Sequence, residues 1–257
     1  MTDELSGIAA TALALLESAQ NGDSDAGDQL GEILPSLTAA AESGDMAAQN
    51  VLGGVLLEFA ENPSDAAFWF KKTAERDSAM GKRSLGHLYA NGLGVPQNLT
   101  EAERLFKEAA DDGDAHAQFN LAQLWWGKRD PHAVAALLRS AAEGGIDDAY
   151  VVLGDLLAAM DQDAEALRSY VNAAESGHDG AMYVAACWYR DGTAGRPDSI
   201  EALKWFFKMI HAGNADGLHE AIAVARGMTD EEIRRAGELA GCPGEAEAMV
   251  GTVQKYR

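Results

Sequence analysis

A short mark recurs along the chain at a nearly constant interval, and this constrains the fold more than anything else in the sequence. The mark is two small residues, a polar or acidic residue, then glycine. It appears as Ala41-Glu42-Ser43-Gly44, Ala110-Asp111-Asp112-Gly113, Ala142-Glu143-Gly144-Gly145 and Ala174-Glu175-Ser176-Gly177, with weaker copies at Ala74-Glu75-Arg76-Asp77 and Ile210-His211-Ala212-Gly213. The last residues fall at 44, 77, 113, 145, 177 and 213, giving steps of 33, 36, 32, 32 and 36. A second mark keeps the same phase: Leu52-Gly53, Leu85-Gly86, Leu121-Ala122, Leu153-Gly154 and Ala185-Ala186, with an earlier copy at Leu30-Gly31. Fixed-period self-similarity in this range is the signature of stacked supersecondary units.

Each unit reads as two helices, A then B. The clearest has helix A over 79–91 and helix B over 99–112. Leu85, Leu88 and Tyr89 follow the i, i+3, i+4 spacing of one buried face. Gly86 lets a neighbouring helix come close. Gly92-Leu93-Gly94-Val95-Pro96 ends helix A, since glycine suits the C-terminal cap and proline cannot continue the helix. Asn98 and Thr100-Glu101 supply start signals for helix B, which buries Ala102, Leu105, Phe106, Ala109 and Ala110. Helices this short are marginal alone, so stacking has to bury their shared faces. The expected fold is an all-α, quasi-linear solenoid of helix-turn-helix repeats. Its longer steps hold inserted turns at 92–97 and 192–197, and its shorter ones have tight turns at 128–131 and 160–163. Residues 1–44 read as an N-terminal cap, with a lone amphipathic helix over 4–20 (Leu5, Ile8, Ala9, Ala12, Leu15, Leu16, Ala19) and a shortened pair over 24–43 broken at Pro35. Residues 45–227 form the array. Residues 228–257 form a C-terminal cap, with a helix start at Met228-Thr229-Asp230-Glu231-Glu232 and a last helix over 245–256.

The same residues resemble the Sel-1-like repeat, a relative of the tetratricopeptide repeat. Leu85-Gly86-His87-Leu88-Tyr89-Ala90-Asn91-Gly92-Leu93-Gly94-Val95-Pro96 follows the pattern of that family closely, as does Ala115-His116-Ala117-Gln118-Phe119-Asn120-Leu121. Residues 178–213 follow it less closely, with Ala185-Ala186 in place of Leu-Gly. The resemblance implies a right-handed α/α superhelical solenoid whose concave face is lined by the A helices, and a role as scaffold, adaptor or binding protein. Some secreted bacterial relatives are rich in disulfides and linked to penicillin binding. This chain has two cysteines, Cys187 and Cys242, so that activity is not carried over.

Charge narrows the partners. The chain carries a formal net charge of −21, which repels nucleic-acid phosphates and anionic lipid. No apolar run reaches the roughly 20 residues of a membrane helix, and the N-terminus lacks the basic-then-apolar pattern of a secretory signal, so a cytoplasmic protein is expected. Residues 1–70 hold twelve acids and no Lys or Arg, the first base being Lys71. Two readings fit this bias: a solvated acidic surface, or an end that attracts a basic partner.

Nothing in the sequence announces catalysis. There is no Gly-x-Ser-x-Gly elbow, phosphate loop or dinucleotide fingerprint, and so no cofactor is expected. The six histidines (His87, His116, His132, His178, His211, His219) show no metal-ligand spacing on one helix face, and no metal site is expected. The cysteines read as a buried apolar residue at Cys187 and a loop thiol at Cys242.

Register identifies candidate binding residues. If the A helices line the concave face, positions flanking each Leu-Gly mark point inward: Asn50, Arg83, His87, Phe119, Gln123, Trp126, Asp155, Tyr183, Arg190, His219 and Arg226. Arginines and aromatics are the side chains that dominate binding hot spots; the competing reading is that the aromatics pack between repeats. Trp125 and Trp126 cannot share a face, since neighbours on a helix point about 100° apart; Trp125 falls at the family's tyrosine position, so the resemblance implies that it is core and that Trp126 faces the groove. Trp69 and Trp205, on B helices, are expected in the core. The function read from all this is a non-catalytic scaffold that binds a protein or peptide in its groove. The alternative is an acidic, immunity-type protein that neutralises a basic toxin or enzyme.

Overall fold

The computed structural model describes residues 7–255. Among them are fifteen α-helices and no strand. The chain divides into two compact units, Met1–Trp126 and Gly127–Arg257.

The first unit holds α1 (Gly7–Gln20), α2 (Ser24–Glu42), α3 (Met46–Glu58), α4 (Pro63–Ala74), α5 (Ala79–Asn91), α6 (Leu99–Asp111) and α7 (Ala115–Trp125), each packed on the next. Its core gathers Ala9, Ala12, Leu16, Leu30, Leu37, Val51, Leu52, Val55 and Trp69, then Ala66, Phe70, Leu85, Leu88 and Leu105. The second unit holds α8 (Pro131–Glu143), α9 (Asp148–Ala159), α10 (Asp163–Glu175), α11 (Asp179–Asp191), α12 (Ser199–His211), α13 (Leu218–Ala225), α14 (Asp230–Ala240) and α15 (Pro243–Gln254). Here α12 is the hub: α11, α13, α14 and α15 all pack against it. Trp205, Phe206 and Phe207 on α12 are fully buried. Each such side chain removed from water contributes about 1.5–3 kcal/mol, which offsets the ordering cost of helices too short to persist alone.

Local chemistry explains the period. Every residue that closes the first mark sits in the left-handed region: Gly44, Gly113, Gly145, Gly177 and Gly213, and also Asp77 at φ 60°. The following residue donates its N–H five positions back, at 2.9–3.2 Å: Asp45 to Ala40, Ser78 to Thr73, Asp114 to Ala109, Ile146 to Ala141, His178 to Ala173 and Asn214 to Met209. This is the Schellman closure of a helix. The side chains of Asp45, Ser78, Asp114 and His178 then accept an N–H from the first turn of the next helix. One residue therefore stops helix B and starts helix A, which fixes the short link between repeats.

The second mark has a packing cause. A Cβ on Gly53 would lie 2.5 Å from the Phe70 ring, one on Gly86 2.9 Å from Phe106, and one on Gly154 2.7 Å from Tyr170. In these three repeats helix A approaches an aromatic of helix B so closely that only hydrogen fits, whereas the copies at 121–122 and 185–186 carry alanine there.

Four expectations need correction. Residues 24–43 are not a pair broken at Pro35: α2 runs unbroken with Pro35 inside it. Pro35 is exposed, as is Gly31, whose carbonyl loses its helical donor. Water can therefore serve that carbonyl. Secondly, α1 is not a lone helix, because it pairs with α2; its buried stripe is Ala9, Ala12 and Leu16, and Leu5 lies outside the described residues. Thirdly, the cysteine environments are reversed. Cys242 is 2% exposed while Cys187 is only half-buried: Cys242 lies between α14 and α15, which both pack on α12. Finally, α15 begins at Pro243 and ends at Gln254, and Tyr256 lies outside the described residues. Thr229 does cap α14, in a reciprocal box with Glu232.

Candidate binding faces

In the first unit, α5 carries Arg83 and His87, α7 carries Phe119 and Gln123, and Trp126 follows α7. Arg83 is half-buried, and its guanidinium stands 3.7 Å from Asp114. Asp114 is the N-cap of α7 and also accepts the Ala117 N–H at 2.8 Å. Arg83 thus ties one A helix to the start of the next. Burial, together with the Arg83 charge, pushes the pKa of the adjacent His116 below the usual imidazole range. His87 and Gln123 are exposed and Phe119 is half-buried. Trp126 is 41% exposed. It has left the helix, with ψ 125°, so the rotation that separates neighbours on a helix no longer governs its direction. Trp125 is half-buried, and its indole donates to Glu103 of α6 at 2.9 Å. Asn50 does not face solvent: it is buried on α3 and donates to Ser78 Oγ at 3.0 Å.

In the second unit, Asp155 on α9 is exposed and accepts the Tyr170 hydroxyl at 2.7 Å. Burial, with the Asp155 charge added, pushes the Tyr170 pKa well above that of an ordinary phenol. Tyr183 on α11 is 37% exposed and meets Phe206 edge-on at 6.2 Å between ring centroids. Arg190 pairs with Asp191 at 2.7 Å and with Glu220 of α13. Its hydrogen bond to Asp191 holds that carboxyl below the usual carboxylate range. His219 and Arg226 are exposed. The two half-buried arginines, Arg83 and Arg190, thus each bridge consecutive A helices. The exposed remainder is two histidines, a glutamine, an aspartate, an arginine and two aromatics.

Register reasoning missed two features. One is a hollow of about 370 Å³ in the first unit, lined by Leu16, Ala19, Gly27 and the half-exposed Phe59, and rimmed by Asp23, Asp28 and Glu58. It rests on how three helices meet, for which no local pattern exists. The other is a grouping of potential metal ligands, His211, Cys242 and Glu245, whose ligand atoms all lie within 4.8 Å of one another.

Residues 47–78, 79–114, 115–146 and 179–214 each match the Sel1 repeat, together more than half of the chain. The chain belongs to the Sel1 repeat family. The Sel1 matches pass over α9 and α10, yet this pair carries the same glycine under an aromatic and the same left-handed closures at Gly145 and Gly177. It is a fifth repeat by geometry. Among solved structures, a protective antigen of uropathogenic Escherichia coli with this repeat fold is similar over 97% of the chain (TM-score 0.65, 26% identity), and the chain spans 59% of that antigen. A Sel1 repeat protein from Oxalobacter formigenes is similar over 91% of the chain and 99% of its own length (TM-score 0.61, 24% identity). Over 76 residues, 30% of the chain, the sequence is 30% identical to the chitin synthase regulator SKT5 of Malassezia restricta, of which this covers 5%. No helix among the described residues is long and apolar enough to cross a membrane.

Proposed function

We propose that this Sel1 repeat protein is a non-catalytic scaffold whose exposed A-helix side chains grip a segment of a partner protein. One observation carries the reading. The position two residues after the leucine of the second mark is exposed in three successive repeats, as His87, Gln123 and Asp155. The leucines beside it, Leu85, Leu121 and Leu153, are buried. A position held at the surface by the repeat itself, with Trp126 exposed just beyond α7, offers the side-chain types from which hot spots are built. A cytoplasmic setting belongs to the same proposal. The test is to select binders from a displayed peptide library and measure their affinity for His87→Ala/Gln123→Ala/Trp126→Ala, three exposed positions of the first unit. Loss of at least about tenfold in Kd, with unchanged circular dichroism and Tm, is expected. A folded triple variant that binds the selected peptides as tightly as the parent would overturn the assignment.

A second reading has its own observation. Residues 1–70 carry twelve acids and no base, and three of those acids rim the apolar hollow beside Phe59. An apolar anchor flanked by Lys or Arg would suit that hollow, as in an acidic protein that neutralises a basic enzyme or toxin. Binding of this kind weakens steeply with added salt; an affinity indifferent to ionic strength counts against it.

A further inference from the structure

We propose that His211, Cys242 and Glu245 form a binding site for a zinc-class divalent ion that clips the last helix, α15, to the hub helix, α12. His211 lies in the last turn of α12. Cys242 is the N-cap residue of α15, and Glu245 sits in its first turn. The sequence separates the histidine from the other two by about thirty residues, so no spacing motif shows the group; only the docking of α15 on α12 assembles it.

The donor chemistry selects the ion. One imidazole nitrogen, one sulfur and one carboxylate oxygen suit zinc and its neighbours, whereas magnesium and calcium require oxygen shells. Zinc bonds of about 2.0–2.3 Å in a tetrahedron set neighbouring donor atoms roughly 3.3–3.8 Å apart. Here His211 Nδ1 stands 2.7 Å from Glu245 Oε1, and all three donors fall within 4.8 Å of one another. The His–Glu pair must open slightly and the sulfur draw in. His211 is mostly exposed and Glu245 about one-quarter exposed, so both can move, and the exposed side leaves a fourth position for water.

Cys242 provides an independent sign. It occupies an N-cap position, yet its side chain accepts no cap hydrogen bond. It is 2% exposed, and its thiol donates to the Ala240 carbonyl at 3.4 Å, a weak bond that a metal can replace. Binding proceeds by exchange: the ion takes the sulfur as the thiol proton leaves to solvent. The Nδ1 proton that His211 donates to Glu245 is likewise given up to solvent, leaving the ring's proton on Nε2, and the hydrogen bond between the two side chains is replaced by two bonds to the metal.

Co²⁺ is the probe, added to the full chain in reducing, chelator-free buffer. A single equivalent should give a sulfur-to-cobalt charge-transfer band and the visible bands of a four-coordinate ion, both bleached by Zn²⁺. Cys242→Ser should lose the charge-transfer band, and Cys187→Ser should keep it. Because His211 and Glu245 are not core residues, His211→Ala and Glu245→Gln leave the fold in place, and each should weaken Co²⁺ at least about tenfold. Zn²⁺ should raise the Tm of the parent, as a ligand of the folded state does, and not that of His211→Ala. The proposal is overturned by the absence of a charge-transfer band at saturating Co²⁺, as diffuse binding to surface acids would produce. It is equally overturned by a band of unchanged affinity in His211→Ala.

Discussion

Asp77 shows what the last residue of the first mark does. Five glycines and this aspartate share one backbone state, with φ between 60° and 96°, so the requirement is a left-handed turn rather than a small side chain. Aspartate is among the few other residues that visit the region, and this explains why the weaker copy at 74–77 still ends a helix. At Gly113 a Cβ would meet nothing within 4 Å, which isolates the backbone term. Gly113→Val should therefore destabilise the protein by about 1–2 kcal/mol, measured by urea denaturation; a neutral result would mean that the turn rearranges. At this scale the candidate site was only partly legible. Exposure of His87, Gln123 and Asp155 follows from register alone. Burial of Asn50 does not, because its partner Ser78 belongs to the next repeat. The cysteines reversed for the same reason: neither environment is set by nearby sequence.

The element that departs most from its sequence is α2. A proline inside a helix removes one hydrogen bond and crowds the turn before it, a cost of about 3 kcal/mol in a helix interior. Leu30, Leu37 and Ala41 are all buried on this helix, and breaking it at Pro35 would bring one end of that stripe out of the core. Tertiary burial outweighs the local preference. Pro35→Ala should accordingly stabilise the protein by about 1–3 kcal/mol, visible as a higher urea midpoint; a lower midpoint would show that the proline relieves strain in α2. The opposite departure occurs in α7, which is two residues shorter than α5. That early stop takes Trp126 off the helix and makes it a surface residue through the turn rather than through helical phase.

Across the whole molecule the dominant quantity is charge. Acids outnumber bases 41 to 20, so self-repulsion outweighs the scattered ion pairs, most of them exposed and worth little. Raising ionic strength from near zero to about 0.15 M shortens the Debye length to ~8 Å and should raise Tm. A relief of about 1 kcal/mol corresponds to ~2–4 °C in a chain of this size; a Tm that falls with salt would show that ion pairs such as Lys82 with Asp77 and Asp112 dominate instead. The sequence by itself determined the helix pairs of the repeat array, their period and the caps between them, because all of these depend on residues within a few turns of one another. Only the tertiary structure decided the continuity of α2, the hollow beside Phe59, the use of Arg83 and Arg190 as bridges, and the meeting of His211 with Cys242 and Glu245. Each of these depends on which helices dock and how closely, and that is set by the packing of side chains far apart in the chain.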